Sequence, residues 1–138
     1  GVSVSNGSDC PVEAPDVLAG IQCAVTRTTL PRDAHTPQPA VSSDPGSPKA
    51  PHAALHKEDP VAYLPDQAFT VQEAIDSYTI QGAYASFEEQ LKGQIRPGML
   101  ADFVILGQNP FTVPESSLRN IPVYATYLGG RKVFSIDP

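Results

Sequence analysis

Asp9 lies in Gly7-Ser8-Asp9, directly after the alternating run Val2-Ser3-Val4-Ser5. A carboxylate just past the end of a strand occupies the place where α/β folds carry catalytic groups. Aspartate in a turn also hydrogen-bonds its own backbone, which is reason enough for it structurally. Local sequence leaves both readings open. His52 and His56 stand four residues apart in His52-Ala53-Ala54-Leu55-His56, a spacing with which one helix face can hold a metal. The zincin pattern needs glutamate directly after the first histidine, and Ala53 occupies that position. In their proline-rich acidic surroundings these two histidines, with His35, read as solvated side chains. Ser8-Asp9 lacks the G-x-S-x-G frame of a nucleophile elbow. There is no glycine-rich phosphate loop and no CxxC pair. The two cysteines, Cys10 and Cys23, do not make a disulfide framework and read as small buried side chains in a reducing cytoplasm.

The elements that would position Asp9 follow from the flanking pattern. Val2 and Val4 alternate with serines, which predicts a short strand. Asn6-Gly7-Ser8-Asp9 is a turn signal, and Pro11 and Pro15 keep the next stretch extended. Asp16 can cap a helix whose buried face carries Val17, Leu18, Ile21, Ala24 and Val25. Arg27 closes that helix, where a cation suits the dipole. Residues 1–27 are therefore expected to run strand, loop, helix.

Residues 28–65 have a different texture. They hold eight of the 15 prolines, all three histidines and a single aromatic, Tyr63. Proline lacks the N–H that a ladder needs and disfavours helix at the preceding residue. A long surface loop is expected.

Order resumes at residue 66. Thr70-Val71-Gln72-Glu73 has the form of a capping box, with Val71, Ala74, Ile75 and Tyr78 as the apolar stripe behind it. Gly82 is expected to break this helix, with a further short helix over Ala83 to Leu91. Arg96-Pro97-Gly98-Met99 suits a type II turn. Phe103 to Leu106 reads as a buried strand. Val123–Leu128 and Lys132–Ile136 read as a hairpin across Gly129-Gly130. Three such strands need a covering face, so they are expected to complete a sheet whose other members lie elsewhere.

Composition narrows the function class. The net charge is -6, which disfavours nucleic-acid partners because phosphate binding needs a basic face. No apolar run approaches the roughly 20 residues of a membrane span. Met99 is the only methionine, which raises the expectation of a fragment or a processed chain.

Three blocks, in order, resemble the metal-dependent amidohydrolases of family 3, the branch that includes N-substituted formamide deformylases. The first is Gly7-Ser8-Asp9-Cys10-Pro11-Val12 with the helix ending Ala24-Val25-Thr26-Arg27, similar to the closing β8–α8 segment of the barrel. The second is Thr70-Val71-Gln72-Glu73-Ala74-Ile75 with Tyr78-Thr79 and Gly82-Ala83-Tyr84-Ala85, similar to the helices after the barrel. The third, Gly93 to Leu106 with the hairpin through Gly129-Gly130-Arg131-Lys132-Val133, is similar to the strands of the family's small β-sandwich.

The resemblance implies an α/β fold. The terminal β8–α8 piece of a TIM barrel, with helices, would cover 1–91, including the loop 28–65, and the closing strands of the sandwich would cover 92–138. It implies hydrolysis of a non-peptide, amide-like C–N bond by metal-activated water. Asp9 would be metal ligand and proton shuttle, and a divalent metal, zinc by expectation, would be held in the full-length enzyme. Asp102 falls in a matched block at a strand entry and reads as structural. The family's His-x-His, its carboxylate or modified lysine and its two later histidines have no counterparts in this sequence. The isolated chain is thus expected to bind no catalytic metal and to be inactive. Implied partners are a small amide-like substrate and the upstream part of the same polypeptide, and the resemblance leaves room for a homo-oligomer. The competing expectation is a non-catalytic structural or binding module that reuses this segment.

Overall fold

A computed structural model describes residues 2–28 and 61–136. The centre of the proline-rich segment, with His35, His52 and His56, lies outside the described residues.

Helix α1 spans Val17–Thr26. Its start is fixed by Asp16, whose side chain accepts from the Ala19 N–H at 3.0 Å and so satisfies one of the free donors of the first turn. Its end is fixed by Arg27 in the left-handed region at φ 55, with the Arg27 N–H donating to the Cys23 carbonyl. The Arg27 Nε donates to the Tyr63 carbonyl, 3.0 Å away, and the guanidinium lies 5.8 Å from that ring. A cation–π contact thus joins the helix end to the chain that re-enters after residue 60.

Helix α2 is Val71–Tyr78, opened by the expected capping box. The Glu73 N–H donates to Thr70 Oγ1 at 3.2 Å, and the Thr70 N–H donates to Glu73 Oε2 at 2.8 Å. Helix α3 is Ile80–Ala85. The break therefore falls at Thr79, not at Gly82, which sits inside α3. Thr79 leaves helical geometry at φ -123, ψ -97, and its hydroxyl donates back to the Ile75 carbonyl at 2.8 Å. Side-chain competition for a helix carbonyl explains a break that glycine does not make. Beyond Ala85 the expected helix to Leu91 gives way to turns, with Phe87 at φ 60.

The sheet is antiparallel with order β1-β2-β3, formed by Phe103–Leu106, Val123–Leu128 and Arg131–Ser135. Gly129 and Gly130 turn the hairpin at φ 56 and 76, the two positive values a two-residue primed turn requires. Asp102 receives the Gly129 N–H at 2.6 Å, so its carboxylate ties the entry of β1 to the hairpin tip. The strand Phe103–Leu106 is not buried: Val104 and Ile105 are 52% and 44% exposed. On the rung Val104–Thr126–Phe134 the side chains share one face, along with Tyr124, and Val104, Tyr124 and Phe134 are each about half exposed.

The core joins α1 to α2 and to the 3₁₀ helix Glu115–Asn120. It consists of Ile21, Val25, Ala74, Leu118 and Ile121, with Leu18, Ala24, Phe69, Val71, Ile75 and Tyr78 packed around them. Val17, expected on the buried face, is 48% exposed. Gln22 is buried instead, and its Oε1 accepts from the backbone N–H of Arg119 at 2.9 Å, a satisfied polar link between α1 and the 3₁₀ helix.

The strand expected over Val2–Val4 does not form. Val2 is 91% exposed, and residues 2–8 have no ladder partner among the described residues. A strand exists only through its neighbours, because its backbone groups are satisfied across the ladder. In place of a strand partner, Asn6 bonds to the end of α2.

Candidate active site

Asp9 sits at φ 55, in the left-handed region that aspartate tolerates better than most residues. Its carbonyl accepts the Val12 N–H at 2.8 Å, closing a turn around a cis Cys10–Pro11 peptide. Asp9 is exposed, as are Cys10 through Glu13. Cys10 therefore departs from the expected burial. It lies in a proline turn outside any packed element, whereas Cys23 lies on α1 and is partly buried.

The approach to this turn is anchored. The Asn6 N–H donates to the Ser77 carbonyl at 3.1 Å, and Asn6 Nδ2 donates to Ser77 Oγ at 3.0 Å. Ser77 is 1% exposed and its hydroxyl donates to the Ala74 carbonyl at 2.7 Å. Helix α2 thus holds the chain three residues before Asp9. In the sequence Asn6 belongs to a turn signal, and nothing near it points to Ser77. A signal for Ser77 existed, because a serine at Ala74 plus three falls within the apolar stripe.

A cleft of about 320 Å³ opens beside Asn6 and Gly7, walled by Gly20, Cys23, Arg27 and Tyr78. Burial raises the Tyr78 phenol above its ordinary value, assisted by Cys23 and Asp16. Burial is likewise the main cause raising the Cys23 thiol, with Arg119 opposing it. Both groups remain neutral at physiological pH, so the cleft wall is polar without fixed charge except at Arg27.

A metal needs several converging donors. Among the described residues no group of three or more His, Cys, Asp or Glu side chains converges in this way. Asp9 offers one carboxylate, and the described residues do not by themselves form a metal centre.

The chain is of mixed helix and strand, with the Asp9 turn pinned ahead of a capped helix. The family model described as the amidohydrolase family matches residues 1–134, and the chain belongs to that family. YtcJ of Bacillus subtilis (strain 168), a protein of amidohydrolase type, is 28% identical over 134 residues, covering 97% of this chain and 21% of the relative. The protein LONG AFTER FAR-RED 3 of Arabidopsis thaliana is 34% identical over 73 residues, covering 53% and 12%. The N-substituted formamide deformylase of Arthrobacter pascens is 36% identical over 66 residues, covering 48% and 12%. The chain spans about a fifth or less of the length of these curated relatives. No solved structure matches the chain. No described helix is long and apolar enough to cross a membrane.

Proposed function

We propose that this chain is the C-terminal part of an amidohydrolase that cleaves a non-peptide, amide-like C–N bond. The observation that carries the reading is the Asp9 turn, anchored through Asn6 to α2 within a family match that covers almost the whole chain. In this reading the Asp9 carboxylate accepts a proton from the attacking water. It then delivers that proton to the leaving nitrogen as the C–N bond breaks, a role worth about 10²–10⁴ in rate. Its exposure leaves the carboxylate open to a substrate.

The reading includes a divalent metal, zinc by expectation, to which Asp9 would contribute one ligand beside others from beyond the described residues. Asp9 alone does not supply its site, and no step here is routed through it. An N-substituted formamide is the first substrate class to try, because a relative bears that name.

Residues 1–91 would belong to the end of a (β/α)8 barrel and 92–138 to a smaller β domain. Two features support this. The extended Val2–Ser5 stretch has the alternation of a strand without a ladder, and the apolar face bearing Val104, Tyr124 and Phe134 is half exposed. Strands and faces of this kind are completed by further chain, here the upstream part of the same polypeptide.

The test is turnover of N-butylformamide by the full-length polypeptide that carries this chain, with and without Asp9→Asn. The substitution is expected to lower kcat about 10²–10⁴-fold while far-UV circular dichroism stays the same. A kcat within twofold of the unsubstituted enzyme rejects the role for Asp9.

A further inference from the structure

We infer that Asn6 and Ser77 form a two-point clamp that positions the Asp9 turn, so that both are positioning residues for the proposed reaction. The inference rests on the reading of Asp9 given above and adds the device that would hold it.

Three observations carry it. The clamp is bidentate: the backbone N–H and the side-chain Nδ2 of Asn6 both reach Ser77, at 3.1 and 3.0 Å. Two bonds between one pair of residues fix orientation as well as distance. The acceptor side is rigid. Ser77 is 1% exposed, its hydroxyl proton is committed to the Ala74 carbonyl at 2.7 Å, and Ala74 is fully buried in the core. The Ser77 hydroxyl can therefore accept from Asn6 only through its oxygen lone pairs, which fixes the direction of the bond.

The chain on either side of the clamp is otherwise loosely held. Val2 and Val12 are 91% and 57% exposed. Between Asn6 and Asp9 lie only Gly7 and Ser8, and a methyl group at Gly7 would touch nothing within 4 Å. Among the described residues, packing contributes little to holding this turn. The hydrogen bonds to Ser77 hold it, along with the Val12 N–H to Asp9 carbonyl bond that closes it. The carbonyl of Ser77 belongs to the last turn of α2, where intrahelical donors run out, so the Asn6 N–H also completes the helix end. A catalytic carboxylate must be held to within a fraction of an ångström, and a misplacement of about 1 Å can cost 10²-fold in rate. A three-residue lever pinned to a buried serine is suited to that requirement.

The test is Ser77→Ala, which removes one oxygen from a small buried side chain and lies 68 positions from Asp9 in the chain, with Asn6→Ala and the double variant beside it. Gln72→Ala, which breaks only the exposed Gln72 to Asp76 bond on the same helix, is the control. Hydrogen exchange of the peptide covering residues 4–12 is measured by mass spectrometry in the full-length polypeptide that carries this chain. Turnover of N-butylformamide is measured on the same protein.

Ser77→Ala is expected to speed exchange in that peptide about tenfold without changing exchange in α1. It should lower kcat about tenfold while KM stays within twofold. The double variant should be no worse than the weaker single one, since the pair acts as a unit. Unchanged exchange in 4–12 overturns the clamp. So does faster exchange with unchanged kcat in an enzyme that Asp9→Asn disables, or a loss of folding that leaves kcat per folded molecule intact. If Asp9→Asn leaves kcat intact, the reading of Asp9 falls, and with it the positioning role. The exchange data then still report separately whether the clamp holds the turn.

Discussion

The Tyr78 hydroxyl lies so close over the Cα of Gly20 that a methyl group there would overlap it. This contact is where α2 meets α1, and glycine is the residue that allows it. In an exposed helix interior, replacing glycine by alanine gains about 1 kcal/mol from propensity. Here the sign is expected to reverse. Tyr78 packs against the core cluster and cannot swing away without losing those contacts, and overpacking costs about 1–3 kcal/mol. Gly20→Ala should therefore lower Tm. Adding Tyr78→Phe, which deletes the overlapping oxygen but leaves the ring carbon Cζ 2.9 Å from the added methyl, should recover only part of the loss. A Gly20→Ala variant that melts higher than the parent would show that the ring moves freely.

The capping box makes the stability of α2 depend on pH in a defined direction. The backbone N–H and then the hydroxyl of Thr70 hold the Glu73 carboxyl below its ordinary value of 4.5. A depressed folded-state value contributes stability that is fully present above about 4.5 and is lost as pH falls through the folded value. Glu73→Gln keeps an acceptor oxygen but removes the titration. Melting curves should show the parent above Glu73→Gln near neutral pH, and the gap should close as pH is lowered below about 4.5. A gap that stays constant across that window would mean that the ionised carboxylate adds nothing to the cap.

Where local chemistry decides structure, it was legible from the residues. Asp16, the Thr70–Glu73 box and Gly129-Gly130 each satisfy nearby backbone groups, and each appears where the pattern put it. Failures came where a distant partner decides. Val2–Val4 has strand alternation but no ladder beside it among the described residues. One local competitor also escapes the pattern: Thr79, not Gly82, ends α2, where its hydroxyl bonds the Ile75 carbonyl four residues back. The site divides in the same way. Asp9 is a candidate from its turn and its family resemblance. The partner that holds the turn, Ser77, lies 68 positions along the chain from Asp9, and no periodicity links the two. Gln22 is another such case, since an amide on an apolar helix face looks like an interruption until the Arg119 N–H is seen opposite it.

The two thiols should separate by reactivity, because the thiolate is the reacting form and access governs the rest. Cys10 is exposed in its proline turn. Cys23 is partly buried on α1, and burial first, then Glu13 and Asp16, push its thiol above 9.0 against the opposing pull of Arg119. Its thiolate fraction near pH 8 is therefore smaller than that of an ordinary cysteine, and its approach is narrower. Titration of the 138-residue chain with a disulfide reagent near pH 8 should show one fast and one slow equivalent. Cys10→Ser should remove the fast phase and leave the slow one. The slow phase should accelerate as pH rises, and it should merge with the fast one in denaturant, where burial no longer protects Cys23. Two equal fast phases in the native chain would mean that α1 does not shield Cys23, and the packing of Tyr78 over Gly20 beside it would then need revision too.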